Sequence, residues 1–239
     1  SENRTEPLPE IINKSLDINV NATNNFLGSI LRHVPECRFF YASSSRIFGV
    51  SEKAPQTELT SYKPACPYGI SKVAGMHVCQ IYREQHGVFA SCGILYNHDS
   101  PRREPQFLLP RIIKDCIKIK DGSLKSLQIG NADTVIDLGF APEYVTAMRL
   151  ILDLDSPDDF IIATGEKHTV REIVHQVYDS LGIDTSLPFE NQPSRLTNQP
   201  SWKPIFGDAS KLYKASGWKA KTKLKEIITS IIENTSNNE

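Results

Sequence analysis

The sequence predicts an α/β protein: an incomplete doubly wound parallel sheet with a smaller mixed α/β lobe. Two observations carry this. Between residues 16 and 97, short apolar runs alternate with stretches of helical apolar spacing, and the runs are continuous, as in strands covered on both faces. After Asn97 the texture changes to polar loops, short strand candidates and amphipathic stretches.

The elements follow in order. Leu16, Val20, Phe26, Leu27, Ile30 and Leu31 have helical spacing, which predicts a helix over 16–33. Residues 38–43 form a short aromatic-rich run that ends in small polar residues, a buried strand with a loop at its carboxyl end. Residues 51–67 carry prolines and polar side chains and read as a loop. A helix over 68–86 is ended by Gly87, and 88–96 reads as a second buried strand. Beyond a polar loop at 98–106, helices are expected over 107–120, 144–154 and 169–181, the last with Thr169 and Glu172 spaced as a capping box. Strands are expected at 124–129 and 160–163. A long polar segment spans 184–203, and short helices are expected at 211–217 and 224–234.

Composition narrows the function classes. With 39% hydrophobic and 23% charged residues in 239, a sizeable core can form and wholesale disorder is excluded. A net charge of -1 gives no electrostatic footprint for nucleic acid or an anionic membrane. No apolar run approaches the ~20 residues that span a bilayer. The five cysteines are odd in number and scattered without a C-x-x-C, so neither a disulfide framework nor a zinc site is expected, and a reducing cytoplasm is. The histidines show no metal-ligand spacing, and no metal is expected.

The sharpest local feature is Tyr68-Gly-Ile-Ser-Lys72. Tyrosine and lysine four apart on a helix project from one face. An ammonium beside a phenol favours the phenolate and is expected to lower the tyrosine pKa toward a usable acid/base. About twenty-four residues earlier the first strand ends in Ala42-Ser43-Ser44-Ser45, and in doubly wound folds ligands sit beyond the carboxyl ends of strands. Strand-end serines, a proline loop, then Pro-Tyr-x-x-x-Lys opening a helix form a constellation rather than a lone motif.

These residues resemble the nucleotide-sugar-modifying, extended branch of the short-chain dehydrogenase/reductase family, and most of all its GDP-mannose 4,6-dehydratase-like members. Ala42-Ser-Ser-Ser-Arg-Ile-Phe-Gly49, Pro67-Tyr-Gly-Ile-Ser-Lys72 and above all Gly93-Ile-Leu-Tyr-Asn-His-Asp-Ser-Pro-Arg-Arg103 carry the resemblance. Ile162-Ala-Thr-Gly165, His168-Thr-Val-Arg-Glu172, Gly207-Asp208 and Gly217-Trp218-Lys219 add to it, from about residue 16 to 232. The resemblance implies that 1–97 is the carboxyl-terminal part of a Rossmann-like cofactor domain. It implies that 98–239 is a substrate-binding lobe with segments returning to the sheet. The implied reaction oxidises a sugar at C4 with NADP (NAD left open), eliminates water from C5 and C6, and reduces C6. By position, Tyr68 corresponds to the base and Lys72 to its partner and a ligand of the cofactor ribose. Ser44 corresponds to the group that bonds the sugar O4, and His98 and Arg103 to cofactor contacts. Asn97 and Arg195 correspond to contacts on the sugar-nucleotide side. The resemblance further implies self-association through helices at 16–33 and 68–86.

Three departures stand out. The family's elimination glutamate lies two residues after the serine, where this sequence has Arg46. A guanidinium has no acceptor and stays protonated, so a 4-reductase, a 4-epimerase or a degenerate relative is the alternative. The family's Arg-Asp-Trp-Gly-His stretch appears as Ile136-Asp-Leu-Gly-Phe140. The strand, glycine-rich turn and helix that hold the cofactor pyrophosphate have no match before residue 42. Ser1 is therefore expected to mark a fragment boundary.

Overall fold

The computed structural model describes residues 7–49, 51, 53–191 and 204–236. Helix α1 (Leu8–Leu16) runs through a π-turn at Asp17–Asn21 into α2 (Ala22–His33). The helical stretch thus begins eight residues before the expected start. Pro7 and Pro9 look like breakers in sequence, but they sit at the N-cap and first turn, where a proline removes no intrahelical bond.

Strand β1 (Phe39–Ser44) leads into a single 3-10 turn, Ser45–Ile47. Helix α3 (Pro67–His86) starts with Cys66 as N-cap and Pro67 in its first turn. It stops at Gly87, which adopts a left-handed φ of 68°. Strand β2 (Ala90–Leu95) and the short β3 (Asn97–Asp99) follow.

Then come α4 (Leu108–Lys120), β4 (Gln128–Ile129), β5 (Val135–Ile136), β6 (Leu138–Phe140) and α5 (Ala141–Leu152). Strand β7 (Asp159–Ile162), β8 (His168–Thr169), α6 (Val170–Leu181), β9 (Glu190–Asn191), α7 (Ser210–Ser216) and α8 (Leu224–Ser236) complete the order. Helix α6 carries the expected capping box, with Thr169 and Glu172 bonding each other's backbone reciprocally. The strand expected over 124–129 shrinks to its last two residues, Gln128 and Ile129, which pair with β9 among the described residues.

The main sheet is parallel throughout, in the order β1-β2-β7. Its central strand β2 is buried along its whole length, as a strand covered on both faces must be. Helices α2 and α3 cover one face, where Leu27, Met76 and Cys79 pack on Tyr41, Cys92 and Ile94. Helices α5 and α7 cover the other, where Tyr144, Ala147 and Leu212 pack on Leu95, Phe160 and Ile162. Gly93 is small for a reason: a Cβ there would lie 2.3 Å from the Phe40 ring. A third core joins α4, α6 and α8 through Ile112, Ile113, Val174, Val177, Ile227 and Ile228. The second half of the chain therefore supplies one strand and two helices to the first half's sheet. All three main strands end at one edge, at Ser44, Leu95 and Ile162.

Candidate active site

Ser44 is the last residue of β1, and its Oγ accepts the Arg46 backbone N–H at 3.3 Å, closing the turn that follows. Helix α3 brings Tyr68 to the same edge, where the Ser44 hydroxyl is the neighbour that favours ionisation of its phenol. The close approach needs Gly69: a Cβ there would sit 2.7 Å from the Arg46 carbonyl oxygen.

One turn along α3, Lys72 places its Nζ 5.4 Å from the Tyr68 ring centroid and 5.0 Å from that of Tyr41. Among the described residues its ammonium meets ring faces and no carboxylate. Burial alone pushes its pKa down to about 8.

The expected lowering of the Tyr68 pKa by Lys72 is not what the geometry gives. Tyr68 is raised above the ordinary value, chiefly by burial, with the Ser44 hydroxyl and the Arg46 and Arg103 charges pulling it back. Lys72 faces the ring, and its own charge is weakened by burial, so it contributes little to the phenol. Tyr68 keeps 38% exposure, so its phenol is crowded on one side and open on the other, and this raising is weaker than for a closed core.

Strand β3 pairs in parallel with β6, aligning Asn97 with Leu138, His98 with Gly139 and Asp99 with Phe140. Asn97 is exposed. His98 is half-buried, stacked on Tyr144 at 4.8 Å between centroids, with Nδ1 2.8 Å from the Tyr96 carbonyl. A carbonyl only accepts, so Nδ1 carries the proton. Burial lowers the His98 pKa, which leaves the neutral ring with Nε2 as an acceptor. Arg103 lies 3.4 Å from Asp99 and stacks over Phe107. Arg195 lies outside the described residues.

Ser44, Tyr68 and Lys72 thus lie together at the carboxyl edge of the sheet, and the Arg103 charge acts on the same phenol. Sequence reasoning gave no role to Asp137. It is fully buried and accepts from the Thr164 N–H (3.0 Å), the Thr164 hydroxyl (2.7 Å), the Gly165 N–H (3.0 Å) and the Gly207 N–H (3.2 Å). It ties the loop after β7 to the segment before α7. The signal was present, since Asp137 is one of two residues retained in a stretch that otherwise departs from its relatives.

A parallel sheet with serine, tyrosine and lysine converging at its carboxyl edge has the Rossmann-like fold of the short-chain dehydrogenases/reductases. The structure of RMD from Pseudomonas aeruginosa complexed with NADPH superposes with a TM-score of 0.85 at 20% identity, covering 98% of this chain and 79% of that one. A UDP-glucose 4-epimerase from Thermotoga maritima gives 0.83 at 18% identity, covering 97% and 73%. At such identities the likeness is one of fold.

Sequence narrows it further. The family model for GDP-mannose 4,6 dehydratase matches residues 12–231. GDP-mannose 4,6 dehydratase 2 of Caenorhabditis elegans is 33% identical over 216 residues, covering 84% of this chain and 56% of the relative. The Cricetulus griseus GDP-mannose 4,6 dehydratase is 34% identical over 212 residues, covering 82% and 57%. The chain belongs to the GDP-mannose 4,6 dehydratase family, and it spans a little over half the length of these curated relatives.

Proposed function

We propose that this chain carries the acid/base centre of a nucleotide-sugar-modifying enzyme acting on GDP-mannose or a close analogue with NADP. The observation that carries the reading is the gathering of Ser44, Tyr68 and Lys72 at one edge of the sheet, with the Lys72 ammonium against the Tyr68 ring, where doubly wound sheets bind ligands. Ser44 holds the sugar O4 hydroxyl, and Tyr68 takes its proton.

The residues present fit one end of a nicotinamide dinucleotide. The Lys72 ammonium has no oxygen partner among the described residues, which suits it to ribose hydroxyls. The His98 Nε2 is an acceptor, and Arg103 offers planar donors. When bound, that cofactor supplies hydride acceptance and return. Among the described residues no strand, glycine-rich turn and helix offers a cradle for its pyrophosphate. Asn97, exposed beside His98, contacts the sugar-nucleotide side, and Arg195, outside the described residues, is assigned there by the family resemblance alone.

A second reading is favoured by Arg46. A residue two positions past Ser44 with no acceptor cannot take a proton from carbon. That favours oxidation or reduction at C4 without loss of water. Incubating the full-length protein with GDP-mannose and NADP and weighing the sugar product separates the two. A 4-keto-6-deoxy product supports dehydration. A 4-keto sugar that keeps its water supports the second reading. No turnover of any GDP- or UDP-sugar would refute both.

The proposed assembly is a homo-oligomer in the cytoplasm. Leu8, Ile18 and Phe26 on the first helical stretch and Ile70 and Ile81 on α3 are exposed apolar side chains that a second copy would cover. No helix among the described residues is long and apolar enough to cross a membrane. Light scattering on Phe26→Asp is expected to show dissociation; an unchanged mass would place the interface elsewhere.

A further inference from the structure

We propose that Tyr41 is a positioning residue for Lys72, an aromatic seat that holds the ammonium beside the Tyr68 ring. This role rests on the acid/base reading of Tyr68 and Lys72 given above. Strand alternation turns Tyr41 toward α3 and its neighbour Phe40 toward the opposite core. The Tyr41 ring is buried. The Lys72 Nζ lies over it at 5.0 Å from the centroid, and over the Tyr68 ring at 5.4 Å. Both distances are within the reach of a cation–π contact, about 6 Å. The ammonium thus meets one ring face from β1 and one from α3, and among the described residues it has no oxygen partner.

A buried chain of hydrogen bonds fixes the Tyr41 ring relative to the helix that carries Lys72. The Tyr41 hydroxyl donates to the Asn19 carbonyl at 3.2 Å, in the π-turn Asp17–Asn21. The Asn19 side-chain amide donates to the Ser71 hydroxyl at 3.0 Å, and that hydroxyl donates to the Tyr68 carbonyl at 2.9 Å. Asn19 and Ser71 are both buried. Single π-turns inside helices recur at functional sites, and Asn19 is the central residue of this one. The ring under Lys72 and the helical turn that bears Lys72 therefore share one set of bonds.

Burial without a counter-ion works against the Lys72 charge and brings its pKa down to about 8. A ring face attracts the ammonium and not the neutral amine. Tyr41 therefore directs the Lys72 side chain and also favours its charged form. The other groups that act on the two rings are the Ser44 hydroxyl, the thiols of Cys66, Cys79 and Cys92, and the cations of Arg46 and Arg103. None of them is a carboxylate, so none offers Lys72 the counter-ion it lacks.

The test varies the charge distribution of the ring and keeps its shape. In the full-length protein, Tyr41→Phe is compared with the same variant carrying difluoro- and pentafluorophenylalanine, whose ring faces are progressively less negative. The Asn19 carbonyl keeps the Thr23 hydroxyl as a donor throughout, at 3.0 Å. The ionisation of Lys72 is read by NMR from the Cε signal of carbon-labelled lysine, assigned by its absence in Lys72→Arg. Near-ultraviolet circular dichroism checks folding. The Lys72 midpoint is expected to fall along the series by about half a pH unit or more. Turnover of GDP-mannose with NADP at neutral pH is expected to fall in the same order, by about threefold or more. A midpoint that is flat across the folded series overturns the inference. So does constant turnover while the midpoint moves, in a protein that Tyr68→Phe inactivates. If Tyr68→Phe keeps full activity and the midpoint moves as stated, the acid/base reading fails and the seat for the ammonium stands. If Tyr68→Phe is inactive and the midpoint is flat, only the role of Tyr41 fails.

Discussion

Asp99 shows how much a single buried carboxyl weighs at this edge. Burial lifts its pKa from 3.8 to about 6 despite the guanidinium of Arg103. The folded state therefore binds more protons than the unfolded state between those values. The sign follows: stability present below pH ~4 is lost as pH rises through 6, by up to ~3 kcal/mol. Denaturant titrations at pH 4 and pH 7.5 are expected to show this loss in the wild type and its reduction in Asp99→Asn; an equal slope with pH in both would contradict it. Burial raises Asp137 as well, but this carboxyl is surrounded by donors that pull the other way. Asp137→Ala leaves the amides of Thr164, Gly165 and Gly207 without their acceptor and is expected to cost at least ~3 kcal/mol in urea unfolding. A cost under ~1 kcal/mol would mean that water replaces the carboxylate at no penalty. Residue types and spacing made Ser44, Tyr68 and Lys72 legible in the sequence. The direction of the Tyr68 shift was not, because it depends on how much protein surrounds the phenol and where the Lys72 ammonium points. Both are set by tertiary packing.

At the scale of the element, α3 is the part that positions the chemistry. Gly75 lets it lie close to β1: an added Cβ would sit 2.2 Å from the Tyr41 hydroxyl and 2.6 Å from the Asn19 carbonyl. The second of these is backbone and cannot step aside. Gly75→Ala is expected to destabilise by ~1–3 kcal/mol and, by moving α3, to lower turnover more than tenfold. Gly87→Ala is the control at the far end of the same helix. It has open space around its Cβ and meets only the strain of φ 68°, so ~1 kcal/mol and unchanged turnover are expected. Equal effects of the two on turnover would show that helix stability alone matters. The long helices and the main-sheet strands were legible because local signals marked them: Gly87 as a stop, Thr169 with Glu172 as a start, continuous apolar runs for β1 and β2. The strands β3, β5, β6 and β8 are two or three residues long. Only their distant partners define them, so no periodicity could.

At the scale of the molecule, two of the three cores hold two halves of the chain together, and the candidate site lies where the halves meet. Serine, tyrosine and lysine come from the first half, while α5, which supports His98 through Tyr144, comes from the second. The fold and the family were legible at this scale because the motifs run along nearly the whole chain. The role of Asp137 was not, since its donors come from residues 27 to 70 positions away. The account stands or falls on Tyr68 as the group that takes the O4 proton. The most direct measurement is the turnover of GDP-mannose with NADP by full-length protein carrying Tyr68→Phe, set beside the wild type. A fall in kcat of about 10²-fold or more with KM little changed is the predicted result. A kcat within tenfold of the wild type would contradict it.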